Sequence, residues 1–238
     1  MKLLLLLFTS VKFAKLLTTG GTMLLSVVLY AFVFGWPYAV GFVALLLGHE
    51  MGHYLAAQRR GLNVGAPTFI PFVGAWIELK EQPMDVETEA YIALAGPLAG
   101  TVAALACYFY ARHGGGNLYF ALAYAGFMLN LFNMIPISPF DGGRVTAILS
   151  PRLWLLGVPI LAALFYFRPS PMLILVAFLA LPQLAKAWHF DATAPENQHY
   201  YTARLEDRIG YGFTYLALAG FLAVMTHDVH EMVGHLAR

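Results

Sequence analysis

Charged residues are sparse along this chain, and the gaps between them predict its architecture. Runs with no charged residue extend over 16–48, 90–111, 114–140, 153–167, 169–185 and 209–227. A helix needs about 20 apolar residues to cross a bilayer, so most of these runs predict membrane spans. The first run is too long for one upright helix. Gly35-Trp36-Pro37 near its middle supplies a break and an interfacial aromatic, which splits the run into a hairpin with its second helix over about 38–60. The pieces 153–167 and 169–185 are short and are separated by Arg168-Pro169-Ser170-Pro171. They read as two thin spans or as a pair that does not fully cross.

Between the hairpin and the next run, residues 61–89 are too apolar for a simple loop and too interrupted for a clear span. Phe69-Ile70-Pro71-Phe72-Val73-Gly74-Ala75-Trp76-Ile77 is rich in strand formers and broken by Pro and Gly. It predicts an irregular or β-hairpin segment dipping into the membrane beside other protein. The expected fold is therefore an all-α polytopic membrane protein of six to seven transmembrane helices with a membrane-dipping β-hairpin or loop. Residues 1–18 read as a basic amphipathic segment on the membrane surface, 19–150 as a membrane core, and 151–238 as C-terminal helices with a polar tail.

Composition agrees with this class. At 60% hydrophobic and 11% charged, the chain is far from soluble norms, where about a quarter of residues are charged. A net charge of +1 gives no reason to expect a nucleic-acid partner. The single Cys107 lies in an apolar run and forms no intrachain disulfide. The basic residues are better read as topology signals. With the hairpin split, Lys2, Lys12, Lys15, Arg59, Arg60, Lys80, Arg144, Arg152, Lys186, Arg204 and Arg208 share one side, which is 11 of 14, against Arg112, Arg168 and Arg238. That bias predicts a cytoplasmic face for the end of the second helix, and the compact size of the chain suits a plasma (cell inner) membrane location.

The candidate chemistry lies at that end. His49-Glu50-Met51-Gly52-His53 puts two imidazoles one helical turn apart on one face, with Glu50 able to reach a water at a shared metal ion. Catalytic zinc typically takes three protein ligands. Asp141 is the strongest candidate for the third, because it ends the 114–140 run at the same predicted depth and side as His53. Prolines at 136 and 139 end that helix, and Gly142-Gly143 permits a tight turn to aim the carboxylate inward. Taken alone, Asp141 reads equally well as a turn or N-cap residue.

Two segments together resemble the site-2 protease family of intramembrane zinc metalloproteases. Members carry HExxH on one transmembrane helix and a motif of the form N-x-x-P-x-x-P-L-D-G on another. Here the second reads Asn133, Pro136, Pro139, Phe140, Asp141 and Gly142, with Phe140 in place of Leu. The Phe69 to Ala75 segment resembles the family's membrane-dipping β-loop, and Gly96-Pro97 resembles a Gly-Pro element on the intervening helix. That element often continues to an Asn, where this chain has Gly100 and Thr101. The resemblance covers residues 38 to 150.

The expected activity is hydrolysis of peptide bonds within or near transmembrane segments of a membrane protein substrate. One Zn²⁺ per chain is held by His49, His53 and Asp141, and Glu50 serves as the proton-transferring base. The resemblance assigns Asn133 to the substrate backbone or the developing oxyanion. Residues 65–80, with Phe69 and Gly74, are expected to pair with an unwound substrate by strand addition. A membrane metal-ion transporter or metal-binding protein using the same His/Asp set is the alternative, and Glu50 between the histidines favours hydrolysis. Regulation is expected to come through a membrane partner, a preceding cut in the substrate or the chain ends. His230 to His235 imitates the first motif with one residue too many and is expected to be a solvated tail.

Overall fold

The computed structural model describes residues 20–65, 68–70, 74–76, 83 and 85–236. The basic segment expected over 1–18 lies outside the described residues. Helix α1 (Gly20–Phe34) ends at Gly35, and α2 (Trp36–Arg59) begins one residue later with Pro37 in its first turn. Proline fits there because a helix's first N–H groups have no intrahelical partner. Tyr30, Ala39, Val43 and Leu46 share a buried cluster with Met23 and Val27, so α1 folds back along α2 as the sequence predicts. Two short strands follow, β1 (Thr68–Ile70) and β2 (Gly74–Trp76), paired antiparallel with Phe69 opposite Ala75 and Ile70 opposite Gly74.

Helix α3 (Val86–Tyr110) is capped by Asp85, whose carboxylate accepts from the Thr88 N–H at 2.7 Å, and carries Glu87 and Glu89 in its first turn. Both features favour the positive end of the helix dipole. The helix continues through a π turn over Ala111–Gly115, and α4 (Asn117–Asn133) returns beside it. The short α5 (Asp141–Thr146) leads to a 3₁₀ turn over Pro151–Leu156, then α6 (Gly157–Phe167) and α7 (Pro171–Trp188). A short α8 (Pro195–Tyr201) precedes the long α9 (Leu205–Leu236). The His230 region is the end of α9 rather than a tail, with the His230 ring 5.3 Å from that of Tyr124.

The interior is built where α2, α3, α4 and α9 meet. Phe127 is fully buried among Ala93, Ala104, Ala123, Leu222 and Val229, large side chains from one helix filling space left by small ones on the next. The outer surface is apolar, with Phe32, Val102, Phe178, Phe213 and Leu216 each more than half exposed. In water such a surface would drive aggregation, whereas lipid matches it. Among the described residues, three helices are long and apolar enough to cross a membrane: Val86–Gly115, Pro171–Trp188 and Leu205–Gly234. Gly20–Phe34 and Pro151–Phe167 are shorter apolar helices. The chain is a membrane protein built mainly from helices.

Candidate metal centre

Three donors from two distant parts of the chain meet at one point. His49 and His53 extend from the same face of α2, and Asp141 opens α5. The His49 Nε2 and His53 Nε2 atoms are 3.2 Å apart, and each is 3.2 Å from Asp141 Oδ2. All three residues are buried, and among the described residues they form the one cluster of this kind able to hold a metal ion. Tetrahedral zinc with ligand bonds of about 2.0–2.1 Å requires donors about 3.3–3.4 Å apart. The observed triangle has that size.

The imidazoles are also oriented for it. His53 Nδ1 donates to the Ile92 carbonyl at 2.8 Å, and His49 Nδ1 donates to Asn130 Oδ1 at 2.8 Å. Asn130 in turn donates from Nδ2 to the Gly126 carbonyl at 2.7 Å, which fixes its amide with the oxygen toward His49. With both Nδ1 protons engaged, the Nε2 lone pairs face each other and the carboxylate, an arrangement that suits a cation and is repulsive without one. The donor set of two neutral imidazoles and one carboxylate matches zinc. Glu50 is buried on α2 between the two histidines in sequence.

Backbone packing explains why these side chains converge. At Gly96 on α3 an added Cβ would collide with the His53 ring, and at Gly100 it would collide with the Asn130 amide. At both positions a side chain from α2 or α4, His53 or Asn130, lies against the backbone of α3. Asp141 is not the N-cap of α5; that position is Phe140, which makes no side-chain cap. Nor do Gly142 and Gly143 serve as a tight turn, since both are helical and neither has positive φ. Their Cβ positions are instead filled by backbone of residues 134–138, which packs directly on α5. Trp154 Nε1 donates to the Gly143 carbonyl at 2.7 Å and Tyr215 donates to the Met134 carbonyl at 2.6 Å, closing the loop from outside.

Asn133 ends α4 half-buried, its Nδ2 donating to the Leu129 carbonyl of its own helix at 3.1 Å. Phe69 and Gly74 lie on β1 and β2, and β2 contacts α2. Sequence reasoning missed Asn130, although a buried amide in an otherwise apolar helix is a functional signal. It also missed Arg144, whose Nη1 is 3.7 Å from Asp141 Oδ1 and whose Nε donates to Glu89 at 3.3 Å. Glu89 accepts from the Tyr200 hydroxyl as well. Burial, and then the adjacent Glu89 carboxylate, push the Tyr200 phenol above its usual range, so it stays a donor. A cavity of about 370 Å³ lies close by, lined by Arg152, Tyr201 and Arg208, and none of the metal-centre residues border it.

Comparison with known proteins finds matching relatives. The profile of peptidase family M50 matches residues 37–113. The zinc metalloprotease MJ0392 of Methanocaldococcus jannaschii is 32% identical over 117 residues, covering 47% of this chain and 33% of its own length. The putative zinc metalloprotease MJ0611 of the same organism is 29% identical over 175 residues, covering 60% of this chain and 90% of its own. The chain thus spans about a third of the length of the first relative and nearly all of the second. A solved site-2 protease from M. jannaschii aligns over 77% of this chain and 88% of its own, with 19% identity and a TM-score of 0.46.

Proposed function

We propose that the chain is a member of peptidase family M50, whose profile matches residues 37–113, and that it is an intramembrane zinc metalloprotease acting on transmembrane segments of membrane proteins. The observation that carries this reading is the 3.2 Å triangle of His49, His53 and Asp141 with Glu50 buried beside it. His49, His53 and Asp141 are the residues that would hold the metal. Bound zinc supplies Lewis acidity, polarising a carbonyl and making water a competent nucleophile near neutral pH.

The chain's own residues account for the rest. Glu50 takes a proton from the attacking water and delivers it to the leaving amine, so one carboxylate serves both halves of the reaction. Its place between the two histidines favours hydrolysis over metal transport, because transport needs no base beside a water. Asn130 and the Ile92 carbonyl keep both imidazoles in the required tautomer. A transmembrane helix has its peptide groups locked in hydrogen bonds, so substrate must unwind before attack. The β1/β2 ribbon beside α2 is suited to receive the unwound segment by strand addition, with Phe69 and Gly74 on its two strands. Asn133 would bind substrate backbone by exchanging its present bond to Leu129.

The distribution of charge supports one sidedness for the centre. Arg144 lies 3.7 Å from Asp141 and donates to Glu89 in the first turn of α3, Arg60 donates to Glu87 in the same turn, and Arg208 donates to the Leu149 carbonyl just after α5. Arg112 and Arg168 lie at the other ends of the apolar helices. Basic residues are enriched on the cytoplasmic side of membrane proteins, which supports a metal centre facing the cytoplasm of a cell inner membrane.

The test uses the purified full chain and a single-span model substrate. Glu50→Gln is expected to retain zinc and lose cleavage by at least about 100-fold, the scale of general-base catalysis. Asp141→Ala is expected to lose both. Full cleavage by Glu50→Gln would overturn the mechanism.

A further inference from the structure

The third metal ligand is the one whose geometry is least fixed by its own element. The histidines extend from a 24-residue helix and each has an Nδ1 partner. Asp141 begins a helix of six residues, and the torsion that turns a carboxylate about its last bond is broad. Its two oxygens nevertheless face different partners. Oδ2 is 3.2 Å from both Nε2 atoms, while Oδ1 faces Arg144 Nη1 at 3.7 Å, an ion-pair distance one helical turn away. Arg144 is itself anchored on its other edge by Glu89 at 3.3 Å, and the second oxygen of Glu89 accepts from Tyr200. A guanidinium is planar and rigid, so fixing one edge fixes the direction of the other.

We propose that Tyr200, Glu89 and Arg144 form a positioning relay that turns the Asp141 carboxylate so that it offers one oxygen, not two, to a metal at the His49/His53 pair. The inference rests on the metal reading given above. Its consequence is chemical: a carboxylate held by one oxygen leaves a coordination position open, whereas a two-oxygen chelate would fill it. It also gives the segment between α7 and α9 a role, because Tyr200 on α8 stands 111 residues from Glu89 in sequence and touches the centre only through the relay. None of the three is a catalytic residue; each acts through Asp141.

The test measures metal binding directly in the full chain purified in detergent. Zinc affinity is read by competition with a chelator, and the visible absorption of the cobalt(II)-loaded protein reports coordination number, since four-coordinate cobalt absorbs far more strongly than five- or six-coordinate cobalt. Loss of a partner behind a metal ligand typically weakens binding by about 10–100-fold, the change expected for Arg144→Gln. Its cobalt absorption should fall as Asp141 rotates to chelate. Arg144→Lys should recover part of both. Tyr200→Phe should shift both in the same direction by a smaller factor, and adding it to Arg144→Gln should change nothing further.

Wild-type zinc affinity and an unchanged cobalt spectrum in Arg144→Gln and Tyr200→Phe would overturn the relay and leave the metal centre standing. Fully additive losses in the double variant would overturn the coupling. If Arg144→Gln fails to fold, Arg144→Lys and Tyr200→Phe still decide the matter. A wild-type chain that binds neither metal would overturn the metal reading, and the relay with it.

Discussion

At the scale of single residues, the metal centre depends as much on absent atoms as on present ones. His53 can lie against α3 only because residue 96 has no Cβ, and Asn130 can reach His49 only because residue 100 has none. Overpacking a close-packed site forces side chains out of their preferred rotamers at a cost of about 1–3 kcal/mol. Gly96→Ala offers two relaxations, displacement of the His53 ring or separation of α2 from α3, and the ring is the softer of the two. The expected outcome is a folded protein whose zinc affinity drops at least about tenfold, as when a ligand's orientation is lost. Gly220→Ala, where an added Cβ meets nothing within 4 Å, should bind zinc like the wild type. Equal zinc affinity in both variants would show that the close approach at Gly96 has no bearing on the metal.

At the scale of elements, the hairpin break at Gly35, the HExxH helix and the end of α4 ahead of the prolines were legible in the sequence, because each is written in local residues. Proline and glycine end helices wherever they fall, and a four-residue separation of histidines has one meaning on a helix. What was not legible depends on contact between elements. Asn130 and Asn133 are both amides on α4, and their spacing gives no hint that the first faces His49 while the second bonds its own helix. Gly142-Gly143 reads as a turn until the backbone of residues 134–138 is found packed against it. Arg144 and Tyr200 look like solvated polar residues, and their joint approach to Glu89 is a product of the fold.

The β1/β2 pair is the element assigned above to substrate strand addition. Strand addition uses backbone N–H and C=O groups, so it tolerates side-chain changes better than it tolerates proline. Gly74→Pro should therefore raise KM for a transmembrane substrate with little change in zinc affinity, while Phe69→Leu should be mild. A Gly74→Pro variant that cleaves with wild-type KM would remove the ribbon from the substrate path.

For the molecule as a whole, the arrangement of charge makes a prediction that needs neither substrate nor metal. Helix α3 runs for 25 residues, about 38 Å at 1.5 Å per residue, which exceeds the roughly 30 Å hydrocarbon core. Its start is joined to the end of α2 by the Arg60 to Glu87 ion pair at 2.7 Å, and its far end passes into α4 at Gly116. Gln58 and Asn117 are both exposed and so report opposite faces of the bilayer. In a Cys107→Ala background, Gln58→Cys should react with a membrane-impermeant maleimide only after cells are permeabilised, and Asn117→Cys should react in intact cells. The reverse pattern would place the metal centre on the outer face, against the bias of the basic residues. Labelling of both in intact cells would mean that α3 does not span the membrane, and the reading of the centre as intramembrane would fail with it.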